Sequence, residues 1–372
     1  MSKNHNPLFS DFPKVSREEW IQKATKDLKG KDVLELYNWE LEPGITATPY
    51  YDQSDLEKLE NYEQYQNRLS EVGRSEGIRM WKNMLELPTQ DVAAANEQAL
   101  KSLNNGADGV IFEISDTTDL EKLMSGIPLE KADVSFKLLS SSNGLSSFLQ
   151  KANVEGIKGS VEYGQEGGDS LKLYDEFKAW TGLRTFLIGS RATSLTESVA
   201  ETLQQLVTLI DSALDHGIEL EEALKRTTIV THIGTDYFGE IAKVRALRRL
   251  AFQVGQAYGA THFEPEHWHI RAVSDKWVSE AYEPHGNLLK GTTASMAAIL
   301  GGCNELVIEP ELQDAFSIRI AQNISSILNK ESFLNGSVDP VAGSYYLESL
   351  ADSIAQQSWD KFKTLLKKEM TL

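Results

Sequence analysis

The sequence predicts an α/β protein, a (β/α)8 TIM barrel with an extended N-terminal arm and C-terminal helices. Three observations predict it. From residue 78 onward, short β-branched or apolar runs alternate with helical patterns, roughly eight βα units in about 250 residues, which is the arithmetic of such a barrel. Residues 227–252, TTIVTHIGTDYFGEIAKVRALRRLAF, display one whole unit. Finally, GxGxxG is absent, and the competing doubly wound open sheet would favour that phosphate turn after an early strand.

Residues 1–70 form the arm. Pro7, Pro13, Pro43 and Pro49 interrupt it. Ser16-Arg17-Glu18-Glu19 is a capping box that opens a short helix, with Trp20, Ile21, Ala24 and Leu28 on one side and Gly30 at its end. Residues 52–71 are polar and acidic, with Leu56, Leu59, Tyr62 and Tyr65 at helical spacing. Such an arm cannot form a core alone. It packs on the main body, wraps a partner, or does both, and Trp20, Trp39, Tyr50 and Tyr51 supply aromatic anchors for either surface.

The barrel spans 71–330, with strands expected near 78–83, 110–114, 134–138, 157–163, 185–189, 227–233, 268–273 and 305–308. Between them, residues 92–103 place alanines, Leu100 and Leu103 on one face and close at Asn104-Asn105-Gly106. Residues 194–216 carry Val199, Leu203, Leu206, Leu209, Ile210 and Leu214 and stop at Gly217. In the 227–252 unit Asp236 is a plausible N-cap, with Glu240 in the first turn. The helix then has one apolar face, with Lys243, Arg245, Arg248 and Arg249 toward its C-terminal part. Residues 331–372 form a C-terminal extension; helices are expected over 315–328 and 347–366, joined by a turn containing Gly and Pro.

Composition narrows the function. Of 372 residues, 41% are hydrophobic and 25% charged, which is ordinary globular chemistry. A net charge of −18 disfavours nucleic acid and anionic membrane as general partners, since both need a basic face. The single cysteine, Cys303, leaves no intrachain disulfide and fits a reducing compartment. The start, MSKNHNPLFSDF, lacks the apolar core of a secretory signal, and no apolar run of about 18 residues exists to span a membrane. A cytoplasmic protein is expected.

In a barrel of this type the reactive groups lie at the C-terminal strand ends. There the sequence offers hydroxyls and small residues, with no carboxylate pair standing out as an acid/base couple. The candidates for binding a substrate at this mouth are Arg191, His232, Ser274 and Lys276. Arg191 follows a strand directly and suits an anion clamp or a surface ion pair. His232 sits alone in an apolar strand, as a proton donor or, by preference, a satisfied core histidine. His262, Glu264, Glu266, His267 and His269 invite a zinc or iron reading. We prefer a polar approach to a strand, with His267 and His269 on one strand face and Trp268 buried. Arg245, Arg248 and Arg249 are read as a solvated, ion-paired face rather than a phosphate patch.

Three segments carry a family resemblance. DYFGEIAKVRALRRLAF (236–252), TTASMAAILGGCNELVIEP (292–310) and RIAQNISSILNKESFLNGSVDPVAGSYYLESLADSIAQQSW (319–359) resemble the methylmalonyl-CoA mutase family. The arm agrees in style through Trp20, Asp27-Leu28-Lys29-Gly30 and Gly44-Ile45 leading to Pro49-Tyr50. The resemblance implies a radical interconversion of succinyl-CoA and methylmalonyl-CoA that uses adenosylcobalamin, with the CoA tail threaded along the barrel axis. The cofactor supplies the hard chemistry and the protein orients it.

Relative to the catalytic pattern, several positions differ. The Tyr-His pair after the fifth strand is replaced by Leu187-Ile188-Gly189-Ser190-Arg191. KNMLELPTQ, residues 82–90, stands where catalytic members turn after their first strand with Tyr-Ala-Gly-Phe. YGQEGGD, residues 163–169, replaces an Arg-Asn-Thr-Tyr segment and with it the carboxylate clamp. A cobalamin-binding domain with its DxHxxG motif is expected to be absent, the nearest string being Asp215-His216-Gly217. The resemblance therefore implies the small, non-catalytic subunit type, with an occluded axis and a catalytic large subunit as partner in a heterodimer. Adenosylcobalamin belongs to the complex and is not bound by this chain alone; acyl-CoA is held through the partner. The alternative is a catalytic acyl-CoA mutase barrel that uses a cobalamin domain on a separate chain.

Overall fold

The computed structural model describes residues 15–60, 62, 65, 80–140, 144–164, 168–275 and 286–369. A parallel sheet of nine strands runs β3 (Lys82–Pro88), β4 (Gly109–Ile114), β5 (Asp133–Leu138), β6 (Gly159–Tyr163), β7 (Leu183–Arg184), β8 (Phe186–Ser190), β9 (Thr227–Ile233), β10 (His269–Ser274) and β11 (Glu305–Ile308). Its two terminal members, β7 and β8, are one stretch of chain broken at Thr185. β7 pairs with β6 and β8 with β9, while β11 returns to β3. The sheet is therefore an eight-stranded (β/α)8 barrel, and the open sheet is excluded.

The break is a β-bulge. The amides of Thr185 and Phe186 both donate to the Arg226 carbonyl at 3.0 Å, so two residues oppose one. Leu183 and Phe186 are buried against the outer helices, whereas Arg184 reaches Thr228 and Glu305 on other strands.

Between the strands and their helices lies the apolar core. The helix Leu195–Asp215 buries Val199, Leu203, Leu206 and Ile210, is capped by Ser194 and ends at Gly217 with φ +80°, as its pattern predicts. Val92–Asn104 also forms as read, with Asp91 as its cap.

Two expectations need correction. The first strand begins at Lys82, not at 78; Met80 is exposed, Trp81 precedes the strand, and 78–79 lie outside the described residues. The apolar residues before Lys82 drew the reading forward, while Lys82 and Glu86 looked like loop residues. The stretch 82–90 is thus mostly the strand itself rather than the turn after it. The second concerns the helix Tyr237–Ala257, which is buried over most of its circumference rather than on one face. The C-terminal helix Tyr345–Glu369 and the turn before it cover its outer side. Arg245 pairs there with Asp339 and Glu348, and Arg249 with Asp352. Arg248 is buried and donates to the carbonyls of Pro265, Trp268 and Gly302. These cations are ion-paired or bonded as expected, but inside the protein rather than on a solvated face.

The arm straps this same body. Its helix Arg17–Asp27 opens on the Ser16–Glu19 capping box. A hairpin of β1 (Trp39–Glu42) and β2 (Ile45–Ala47) follows a short turn of helix, Val33–Tyr37. Val33, Ile45 and Ala47 are buried. Glu42 caps the helix Leu195–Asp215, accepting from the amides of Leu195 and Thr196 and from the hydroxyls of Ser194 and Thr196. Trp20 stacks on Tyr50 at 4.6 Å, and Tyr51 meets Tyr346 at 5.2 Å. Three of the four aromatic anchors are therefore engaged within the chain, and Trp39 stays 56% exposed.

Candidate functional site: the barrel axis and its mouth

Every second residue of a barrel strand faces the axis, and in this chain many of those positions are ionised. Near the N-terminal end, Lys82 of β3 pairs with Asp133 of β5. Deeper in, Arg271 of β10 is bonded to Glu305 of β11 at 2.7 Å and to Glu162 of β6 at 2.8 Å. Arg271 also donates to the Ser160 hydroxyl at 2.9 Å. Arg184 reaches Glu305 at 2.9 Å, and His269 Nε2 lies 2.9 Å from the same carboxylate. The Arg271–Glu162 and Arg184–Glu305 contacts join strands on opposite sides of the barrel, so they span its lumen. An apolar group, Met84, Ile111 and Val307, packs beside them.

Burial alone would raise the Glu305 pKa, but the charges of Arg271, His269 and Arg184 outweigh it and hold the carboxyl well below its usual range. For His269 burial dominates and pushes the imidazole down to about 4, against the pull of Glu305. This histidine is neutral at pH 7.

Above the network the C-terminal mouth opens as a cavity of about 880 Å³. Lys137 is shared there between Glu86 at 2.6 Å and Glu113 at 3.1 Å. Burial opposes its charge, but the bonds and charges of these two carboxylates prevail and raise the ammonium above an ordinary lysine. His232 Nδ1 is hydrogen-bonded to Asp275 at 2.9 Å.

The four candidates for binding a substrate are distributed as follows. Arg191 and His232 both line the mouth, Arg191 exposed and without an ion pair among the described residues. Ser274 is buried on the outer side of β10, near Gly291, and does not line the mouth. Lys276 lies outside the described residues. Sequence reasoning missed Glu86, Glu113 and Lys137 because they lie within strands rather than after them. The signal was present: a charge at alternate positions of otherwise apolar runs, as in KNMLELP, GVIFEI and DVSFKL.

The residues considered for a metal diverge. His267 belongs to a turn of 3-10 helix, Pro265–His267, not to the strand, and its Nδ1 accepts from the Glu264 amide. His269 points into the axis instead. Among the described residues no group of three or more His, Cys, Asp or Glu is arranged to hold a metal ion.

Fold and site together define an α/β-barrel protein whose mouth has ligand size and whose axis is bridged by buried ion pairs. The chain is similar to members of the methylmalonyl-CoA mutase family. The family's sequence profile, methylmalonyl-CoA mutase, matches residues 188–368. The methylmalonyl-CoA mutase small subunit of Porphyromonas gingivalis is 30% identical, covering 97% of this chain and 64% of the relative. The small subunit of Streptomyces virginiae is 26% identical, covering 96% and 64%. The methylmalonyl-CoA mutase of Escherichia coli is 25% identical, covering 92% and 57%. The chain thus spans about 64% or less of the length of these relatives.

Proposed function

We propose that this chain is a small-subunit-type barrel of an adenosylcobalamin-dependent methylmalonyl-CoA mutase, organised as an arm (1–70), a barrel (71–330) and a C-terminal helical extension (331–372). In this reading it supports a catalytic large subunit, takes part in succinyl-CoA/methylmalonyl-CoA isomerisation only through that partner, and is inactive alone. The observation that carries the proposal is the pair of cross-barrel contacts, Arg271–Glu162 and Arg184–Glu305. An acyl-CoA tail threaded along the axis would have to displace both. That would strand charges in a site where Glu305 is fully buried, and an uncompensated buried charge is costly.

The described residues do not fit cobalamin. His216, the histidine of the nearest motif-like string, caps the C-terminal end of the helix Leu195–Asp215 and lies 2.8 Å from Asp175. That helix runs back from the mouth, so His216 sits toward the opposite end of the barrel. No step is derived through the cofactor.

Trp39 supports the partner. With Leu36 and Tyr37 it forms an exposed apolar strip on the arm, suited to a protein surface. Arg191 and His232 are the residues by which the mouth would meet any substrate, and a catalytic barrel borrowing a cobalamin domain would use them. Calorimetry with succinyl-CoA and methylmalonyl-CoA on the isolated chain separates the two readings. The support role predicts no binding up to about 1 mM. Micromolar affinity, or turnover on adding adenosylcobalamin without a second protein, would establish the catalytic one.

A further inference from the structure

Going beyond that reading, we propose that the groove between the arm and the C-terminal helix is the docking site of this chain's own N-terminal segment, with Phe9 and Phe12 as the side chains it receives. The groove, of about 630 Å³, lies between Pro49-Tyr50-Tyr51 of the arm and Gly343-Ser344-Tyr345-Tyr346 at the start of the C-terminal helix. Packed rings line and flank it. Tyr51 meets Tyr346 at 5.2 Å, and Phe238 meets the same tyrosine edge-on at 5.4 Å. Tyr345 is 39% exposed and Phe238 44%. A groove walled by aromatic side chains suits a short extended segment that carries prolines and apolar anchors.

The place where the described chain begins identifies the occupant. Residues 1–14, MSKNHNPLFSDFPK, lie outside the described residues. The chain enters at the edge of the groove. There the Arg17 guanidinium stands 5.8 Å from the ring centroid of Tyr50 and is bonded to Asp52 and Asp55, while Trp20 stacks on the same tyrosine. Phe12 is five residues before Arg17 and Phe9 eight, lengths that span up to about 17 and about 27 Å of extended chain. So short a tether gives the segment an effective concentration at the groove on the order of millimolar, above that of a separate protein in solution. Its chemistry agrees with its position. Pro7 and Pro13 bracket Leu8, Phe9 and Phe12, and proline limits the backbone freedom that docking would otherwise remove. Lys3 and Lys14 against Asp11 make the segment basic, opposite in sign to the chain's net charge of −18.

Disulfide trapping in the full chain tests this, since the one native cysteine, Cys303, is buried. Phe9→Cys combined with Tyr345→Cys should close an intramolecular disulfide about tenfold faster than Phe9→Cys combined with Phe333→Cys. Phe333 is 71% exposed and follows the helix Ala315–Lys330, which runs back from the mouth. Adding Phe12→Ala should slow the first pair about threefold and leave the second unchanged. Cooperative melting of each variant confirms that it folds; where Tyr345→Cys lowers the melting temperature, Ser344→Cys takes its place. Equal rates for the two pairs overturn the proposal, as does closure of neither pair or a first rate that Phe12→Ala leaves unchanged. Disulfide-linked dimers in place of the monomeric product also overturn it, and would assign the groove to a second copy of the chain.

Discussion

Replacing Arg271 by methionine tests the axis at the level of one residue. Glu305 is completely buried and Glu162 nearly so, and both lose their closest cation. Removing one partner of a buried ion pair typically costs about 3–5 kcal/mol, so Arg271→Met should lower the urea midpoint strongly without changing the slope. A loss below about 1 kcal/mol would mean that water or rearranged partners already serve these carboxylates. The same network sets an acid limit. The folded His269 imidazole is held at about 4, below its ordinary value of 6.5. As pH falls from 6.5 the unfolded chain takes up a proton before the folded one does. Stability is therefore full above about 6.5 and is lost down to about 4, by roughly 3 kcal/mol from this residue. Glu305, also depressed, adds a further loss at still lower pH, beginning near its ordinary value of 4.5. His269→Gln should flatten the stability profile between pH 6.5 and 4, read by denaturant unfolding at each pH. An unchanged slope would refute the assignment.

Among the elements, the helix Leu195–Asp215 depends on the arm. Its first amides are served by Ser194 and, from a remote part of the chain, by Glu42, whose negative charge also sits at the positive end of the helix dipole. Glu42→Ala should cost about 1–2 kcal/mol, measurable as a lower melting temperature of the whole chain. Equal stability would show that solvent replaces the carboxylate. The helix Tyr237–Ala257 makes the complementary point. Its arginines look surplus in sequence, yet they fasten the C-terminal helix through Glu348 and Asp352. The partners lie about a hundred positions away along the chain, and no local pattern could announce them.

For the whole molecule, the arm holds to the barrel through one set of residues and leaves another set exposed. Ile45, Ala47 and Glu42 hold the chain to itself, while Leu36, Tyr37 and Trp39 remain exposed. Deleting residues 1–50 would mix both effects. The double substitution Tyr37→Ala, Trp39→Ala is cleaner. It should leave the melting temperature within about 2 °C, as exposed positions do, and abolish co-purification with a co-expressed mutase large subunit. Retention of the complex would move the interface elsewhere.

Much of the architecture follows from local chemistry. Alternating apolar runs, caps such as Ser16 and Asp236, and the glycines at 106 and 217 were enough to count the βα units and place most helices, because each signal acts within a few residues. The first strand was misplaced for the same reason: Lys82 and Glu86 are charged, and charge reads locally as loop. The axis could not be read at all. Whether Glu162 meets Arg271, or Arg184 meets Glu305, depends on which strands close the ring and on the backbone bulge at Thr185. Sequence determined that there would be a barrel with charges in its strands. Only tertiary structure decided that those charges would face one another across the lumen, because burial there leaves an ionised group no neighbour but the opposite wall.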